Sequence, residues 1–257
     1  MEKKFGISGS TIKMIAIVSM FIDHLGAAVV SRIISSYSFN DYYMTPTGIA
    51  GFFSVDTWVT IYRVMRSIGR LGFPIFCFLL VEGFLHTHDV KKYALRLLAF
   101  CFISEIPFDL AFNGTVLEFS YQNVYFTLFL GLLTMIGIRA VREKKNWHPL
   151  LQLFLLIAVL LAGMAAAELL STDYASIGVF CIAMLYLTHE QRPLQLAVGC
   201  IEFWWELPAP LAFLPIAFYN GKRGWNMKYF FYIFYPAHLL LLVLLCYALG
   251  LMQYPAM

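Results

Sequence analysis

Residues 10–26 read STIKMIAIVSMFIDHLG. The apolar run is typical of the start of a membrane-spanning helix, yet Asp23 and His24 lie inside it and Lys13 precedes them. Ionisable side chains within a membrane segment are costly, and they usually face the protein interior, where they pair or act on ligands. The stretch therefore predicts a membrane helix that carries a polar site.

The composition of the whole chain is that of a membrane protein. Of its 257 residues, 61% are hydrophobic and 13% are charged, whereas a soluble domain carries about 25% charged residues. Apolar segments of spanning length recur throughout. We expect an all-α polytopic membrane helical bundle, a single domain over residues 1–257, in the cytoplasmic (inner) membrane. The start MEKKFG resembles a signal peptide, but the polar pair within the following run favours a retained first helix.

Apolar runs separated by polar breaks predict about nine spans. The seventh and eighth are short and flanked by prolines, which suits a tight hairpin or a re-entrant segment. The predicted spans cover residues 11–32, 71–86, 93–112, 123–140, 149–168, 174–189, 193–206, 208–219 and 229–251. The longest loop, residues 35–68, is expected to hold an interfacial helix around residues 52–66.

Lysines and arginines predict the orientation, because cytoplasmic loops carry an excess of them. An N-terminus on the inside leaves only four on the outside: Arg32, Arg63, Arg66 and Arg70. The inside then receives fourteen: Lys3, Lys4, Lys13, Lys91, Lys92, Arg96, Arg139, Arg142, Lys144, Lys145, Arg192, Lys222, Arg223 and Lys228. We therefore expect a cytoplasmic N-terminus and an external C-terminus.

The spacing of Lys13 and His24 indicates a ligand. Eleven residues make almost three helical turns, so both side chains share one face, roughly 16 Å apart along the axis. Lys13 then lies at the cytoplasmic surface and His24 near the middle of the bilayer. A cation at the mouth and an imidazole at depth suit a long ligand with an anionic head and a reactive far end. Acyl-coenzyme A has that form.

Other polar residues at depth leave more than one interpretation open. Asp23 lies about 100° round the helix from His24, so we expect it to orient groups on another helix or to pair with an arginine. Glu105 and Glu202 suit either a polar clamp between helices or a functional role. His238, two residues after Pro236, lies where the last helix is locally opened.

Three further groups of residues have simple structural interpretations. Glu82 lies one turn before His86 and is expected to pair with it near the inner surface. The cysteines have no metal-ligand spacing and are expected to pack as small apolar residues. The HTHD stretch at residues 86–89 lies on the cytoplasmic rim, and we expect no metal there.

Several ordered stretches resemble the TraX family, named for the conjugative-pilin acetylase. They are IKMIAIVSMFIDHLG, GRLGFPIFCFLLVEGFLHT, KKYALRLLAF, NVYFTLFLG, LPIAFYNGKRG and FFYIFYPAHLLLL, and they cover nearly the whole chain. That family in turn resembles the acyltransferase-3 proteins and the heparan-α-glucosaminide N-acetyltransferases. In the acyltransferase-3 group a basic residue, ten residues and a histidine occupy the first helix, as Lys13 and His24 do here.

The resemblance implies acetyl transfer from acetyl-coenzyme A to an unidentified amine or hydroxyl, such as a peptide N-terminus, a sugar or a small molecule. It implies a catalytic His24, with Asp23 beside it as a second candidate. We expect the donor's phosphates to meet Lys13, Lys92, Arg96, Lys222 and Arg223. We expect Glu82, Tyr235, His238, Asn123 and Arg70 to line or support the substrate site. Lipid is the expected surrounding, and nucleic acid is not an expected partner.

Two alternatives belong to other classes. Buried His, Asp and Glu also form proton relays in transporters, although the two halves of the sequence show no internal repeat. A non-catalytic assembly factor for surface fibres is the second alternative. It predicts that a His24→Ala change is tolerated.

Overall fold

A computed structural model describes residues 6–39, 48–225 and 228–256. Within these residues the secondary structure is helical, and only two isolated bridges, Ile7 with Tyr219 and Gln122 with Thr172, pair extended backbone. The expected all-α fold is confirmed. Lys3 and Lys4, used above for the orientation, lie outside the described residues, as does the side chain of Lys228.

The described α-helices follow the apolar segments closely at most positions. They are α1 Gly9–Leu25, α2 Ser31–Phe39, α3 Val55–Gly69, α4 Gly72–His86, α5 Val90–Phe112, α6 Val124–Arg142, α7 Pro149–Leu169, α8 Ala175–Leu187, α9 Arg192–Glu202, α10 Phe213–Ala217 and α11 Lys228–Ala248. A π-helical segment, Gly26–Val30, joins α1 to α2. The helix expected around residues 52–66 is α3, which begins after a Ser54 cap whose hydroxyl accepts a hydrogen bond from Thr57 N–H.

Five helical segments in the described part of the chain are long and apolar enough to cross a membrane. They are Gly9–Tyr37, Val55–His86, Val124–Arg142, Pro149–Leu169 and Tyr229–Ala248. Nine spans and a cytoplasmic N-terminus remain predictions. The predicted span 208–219 is instead a 3₁₀ turn, Ala209–Ala212, followed by the short α10. Prolines 208, 210 and 215 explain this, because each removes a backbone donor and restricts the residue before it.

The chain divides into two compact units that are each discontinuous in sequence. The first contains residues 1–75, 104–118 and 206–257, and the second contains residues 76–103 and 119–205. In the first unit, α1 packs against α3 and α11. Its core holds the small residues of the π-helical segment together with Arg32, which is 2% exposed and donates to the Ala28 and Ala111 carbonyls over 2.7 Å each.

The second unit is built around α6, α7 and α8, which pack on one another. Close approach is possible because glycines occupy the contacts: a Cβ at Gly163 would lie 2.0 Å from Thr134 Oγ1, and one at Gly131 would lie 2.4 Å from Ile182 Cδ1. Cys101 and Cys181 are buried in this unit, which agrees with the packing role expected of the cysteines.

Candidate functional site

His24 and His238 contact each other directly within the first unit. The Nδ1 atom of His24 lies 2.7 Å from Nε2 of His238, and the two ring planes are 5° apart. His238 is 3% exposed, whereas His24 is only partly buried. Two histidines separated by 214 residues are therefore hydrogen-bonded partners, one enclosed by the protein and one partly open.

Aromatic rings surround the histidine pair. Phe112 and Tyr235 meet the His24 ring edge-on at centroid distances of 5.4 and 5.7 Å. Phe234 is nearly parallel to the His238 ring at 4.9 Å, and Phe21 lies 6.1 Å from it. Tyr235 was expected near the substrate, and the structure brings it to both imidazoles, 5.6 Å from that of His238.

The backbone is irregular on both sides of the pair. The π-helical segment Gly26–Val30 begins two residues after His24, and Pro236 lies inside α11 two residues before His238. Short π-helical segments inside longer helices are frequent at functional sites. The π-helical segment after His24 was not predicted from the sequence.

Asp23 faces α3 instead of α11. Its Oδ2 atom lies 2.5 Å from Nη1 of Arg66, and the two side chains are 15% and 27% exposed. Of the two arrangements expected of Asp23, the structure shows the pairing with an arginine. A catalytic role for Asp23 remains a prediction. Gly69 makes this approach possible, because a Cβ there would lie 2.0 Å from Asp23 Oδ1. Arg66 and Gly69 were not predicted as site residues.

The N-terminal end of α1 is wrapped by the turn Asn220–Gly224. Gly9 and Ser10 donate their backbone N–H groups to the carbonyls of Lys222 and Arg223 over 2.8 and 3.0 Å. Gly224, with φ +71°, lies so close that a Cβ would be 2.1 Å from Ser10 Oγ. Lys222 and Arg223 were predicted to bind the donor, and the turn fixes their backbone beside the start of α1.

Lys13 lies at the same end of the first unit. Its Nζ atom is 5.2 Å from the centre of the Phe231 ring on α11, and the Arg223 carbonyl accepts from the backbone N–H of Ser10, three residues before Lys13. Because Lys13 contacts Phe231 and His24 contacts His238 on the same helix, α1 and α11 run in parallel. The predicted shared face of Lys13 and His24 is confirmed as the face of α1 toward α11.

Comparison with known proteins identifies the family. The family model described as "TraX protein" matches residues 8–246. The chain belongs to the TraX family. It is 29% identical to the "Probable fimbrial assembly protein FimC, serogroup H1" of Dichelobacter nodosus over 271 aligned positions, which cover 94% of this chain and 97% of that protein. No solved structure matches the chain.

The remaining predicted residues of this TraX-family chain have contacts of their own. Arg70 Nη1 lies 2.7 Å from Glu206 Oε1 in the first unit. In the second unit, Asn123 caps α6 by accepting from Tyr125 N–H and donates to the Cys101 carbonyl over 2.8 Å. The amide of Asn123 therefore caps the N-terminal end of α6 and joins it to the backbone of α5. A substrate contact for either residue remains a prediction.

Three other predicted residues lie in the second unit. Glu82 is 3.9 Å from both His86 and Arg192, so the expected His86 partner is joined by an arginine. Lys92 lies 3.3 Å from Asp89, and its backbone N–H, together with this ammonium, lowers the pKa of Asp89. Arg96 lies 5.9 Å from the centre of the Tyr93 ring. A part for Lys92 and Arg96 in donor binding, and for Glu82 in the substrate site, remains a prediction.

The remaining candidates for a polar site are groups of metal-ligating residues and the buried acids Glu105 and Glu202. Among residues 6–39, 48–225 and 228–256, no group of three or more His, Cys, Asp or Glu is placed to hold a metal ion. Glu105 is 7% exposed. In the part of the chain described, neither carboxylate oxygen of Glu202 has a hydrogen-bond partner, so a clamp satisfied by a neighbour is not seen there.

Proposed function

We propose that this TraX-family protein is a membrane-embedded acyltransferase that moves an acetyl group from acetyl-coenzyme A to an amine or hydroxyl acceptor. The observation that carries the proposal is the arrangement along α1 and α11. Lys13 and Arg223 form a cationic end, and His24, paired with His238, lies three turns further along the same face. An extended thioester with an anionic head matches that arrangement in length and charge.

The cationic end attracts the phosphates of acetyl-coenzyme A by charge. The N–H groups of Gly9 and Ser10 are occupied by carbonyls of the turn, so the side chains of Lys13, Lys222 and Arg223 supply the attraction for phosphate. Ammonium and guanidinium groups are the usual partners of phosphate oxygens. This contact holds the donor so that its thioester reaches His24.

At the end of the site away from Lys13, His24 accepts and returns the proton of the acceptor. As general base, it takes the proton from the acceptor N–H or O–H while the acceptor atom attacks the thioester carbonyl. The carbon–sulfur bond then breaks, and the proton returns from His24 to the thiolate, giving free coenzyme A. In the second route His24 itself attacks the carbonyl, the carbon–sulfur bond breaks to release the coenzyme A thiolate, and the acetyl group is held on the imidazole. The acceptor atom then attacks this acetyl group, its proton passes to the thiolate, and neutral His24 is restored. Both routes need a neutral imidazole.

A transfer experiment tests the proposal. Purified protein in nanodiscs is given acetyl-coenzyme A labelled in the acetyl group, with a membrane and protein extract from a strain that lacks the gene as the source of acceptor. We expect label to enter the extract, and His24→Ala to reduce that transfer by roughly 100-fold or more while leaving acetyl-coenzyme A binding intact.

The matched control is His189→Ala. His189 also has its ring Nδ1 near a backbone carbonyl, that of Tyr186 at 2.5 Å, but it lies in the second unit. This control should transfer label normally. Normal transfer by His24→Ala, or no binding of acetyl-coenzyme A by the unaltered protein, would contradict the proposal.

An assembly role without catalysis is the second candidate, and the name of the Dichelobacter nodosus relative favours it. It makes a separate prediction for cells: a His24→Ala copy should restore surface fibres as well as the unaltered gene does. The acyltransferase proposal expects that copy to fail wherever the acetylated acceptor is required for the fibres.

A further inference from the structure

We infer that His238 sets the tautomer of His24, so that Nε2 of His24 is the atom that takes the proton or the acetyl group. This inference rests on the proposed function, since it names the reacting atom of that site. His238 is thereby a positioning residue, acting on the substrate only through His24.

The first step concerns the hydrogen on His238. Its Nδ1 atom lies 2.8 Å from the backbone carbonyl oxygen of Phe234. A carbonyl oxygen can only accept, so Nδ1 of His238 must carry the hydrogen that it donates. In a neutral imidazole the other nitrogen then has the lone pair, which makes Nε2 of His238 an acceptor.

The second step concerns His24. Its Nδ1 atom is 2.7 Å from Nε2 of His238, a distance that requires one hydrogen between the two atoms. Since Nε2 of His238 accepts, Nδ1 of His24 carries the hydrogen. In neutral His24, Nε2 is left with its lone pair.

The opposite assignment is unfavourable. A hydrogen on Nε2 of His238 in the neutral ring would leave the Nδ1 lone pair facing the Phe234 carbonyl oxygen. Two lone pairs at 2.8 Å repel each other, and a buried hydrogen bond would be lost. The backbone of α11 therefore determines which nitrogen of His24 is basic.

The arrangement also suits a reaction in which His24 gains and loses a proton. A proton on Nε2 of His24 makes an imidazolium that still donates from Nδ1 to His238, so neither hydrogen bond changes. Groups already oriented for the charged state need no rearrangement during the reaction. The difference in exposure agrees with these roles, because His238 is enclosed and His24 is partly open.

Nitrogen NMR tests the assignment without any activity measurement. The protein is labelled with ¹⁵N in its histidine rings, and the His24 signals are identified by their loss in His24→Gln. We expect Nδ1 of His24 to be protonated and Nε2 to be unprotonated at neutral pH. In His238→Leu, which cannot accept, the Nε2–H form of His24 should appear. A His24 ring protonated on Nε2 in the unaltered protein overturns the inference.

Kinetics supply the second readout. His238→Leu should lower kcat by about 10–100-fold, the cost of removing a hydrogen-bond partner that orients a metal-ligating histidine, with little change in KM for acetyl-coenzyme A. His238→Gln, whose side-chain oxygen can accept near the position of Nε2, should keep much of the activity. The matched control, His189→Leu, should leave kcat and the His24 signals unchanged.

The experimental outcomes distinguish the positioning role of His238 from the proposed acyltransferase function. A normal kcat and an unchanged His24 tautomer in His238→Leu overturn the positioning role, while loss of transfer in His24→Ala still supports the proposed function. Normal transfer in His24→Ala contradicts the proposed function itself. If His238→Leu does not fold, the NMR assignment in the unaltered protein and the kcat of His238→Gln still decide.

Discussion

Asp23 and His24 are neighbours in the sequence, but they face different helices and contact different kinds of partner. Asp23 meets Arg66 of α3 at 2.5 Å, and the absence of a side chain at Gly69 lets the helices close around that ion pair. His24 meets a neutral partner, His238 of α11. The ion pair balances one charge with another, whereas in the proposed mechanism the histidine pair uses one ring nitrogen of His24 for orientation and leaves the other for proton or acetyl transfer.

This difference predicts opposite consequences for substitutions at the two positions. Changes at Asp23 and its partners should act mainly on stability, and changes at His24 mainly on transfer.

Asp23→Ala should destabilise the protein most, because it leaves the Arg66 guanidinium partly buried without its carboxylate. Fully buried pairs lose about 3–5 kcal/mol when broken. The partial exposure of both side chains reduces the expectation to about 2 kcal/mol. Thermal unfolding in nanodiscs measures the effect. The double variant Asp23→Ala, Arg66→Met should recover part of the loss, and no recovery would show that the pair is not the cause.

Gly69→Ala should also destabilise, by about 1–2 kcal/mol, since the added methyl group would overlap Asp23 and packed cores tolerate added volume poorly. Gly72→Ala is the matched control, because a Cβ there would meet its nearest neighbour, the Ala16 carbonyl oxygen, at an ordinary 3.6 Å. Equal unfolding temperatures for the two variants would mean that α1 and α3 can separate without cost.

Lys13→Glu should weaken acetyl-coenzyme A binding by roughly 10-fold, equivalent to about 1.4 kcal/mol. The new carboxylate would both remove a cation and neutralise the nearby Arg223. Calorimetric titration at two salt concentrations measures this, and the deficit should shrink as salt rises because the end of the site is screened. Lys13→Arg keeps the charge and should bind normally. An unchanged affinity of Lys13→Glu for acetyl-coenzyme A would mean that the phosphates bind elsewhere on the protein.

His24→Gln should change stability least, by about 1 kcal/mol or less, because only one neutral hydrogen bond is altered. Its unfolding temperature should stay close to that of the unaltered protein, while acetyl transfer is lost. An unfolding temperature as low as that of Asp23→Ala would remove the contrast between the two neighbours and assign His24 a structural role.

The sequence by itself determined the helical class, most helix positions and the face shared by Lys13 and His24. These follow from local rules: apolar length sets a spanning segment, and the helical repeat sets which residues share a face. The short, interrupted segment at residues 208–219 followed from its prolines. The sequence also led to the expectation that Asp23 pairs with an arginine or orients groups on another helix, because a charge within a membrane-spanning segment requires a partner.

Only the tertiary structure decided which partners meet. His238 is 214 residues from His24. Nothing local in the sequence indicates that the two histidines are hydrogen-bonded to each other. Arg66 was one of four cations expected outside, and no periodicity singles it out for Asp23. Contacts of this kind depend on how the packing of many side chains brings distant helices together. For the same reason the basic nitrogen of His24 is decided by the Phe234 carbonyl of another helix.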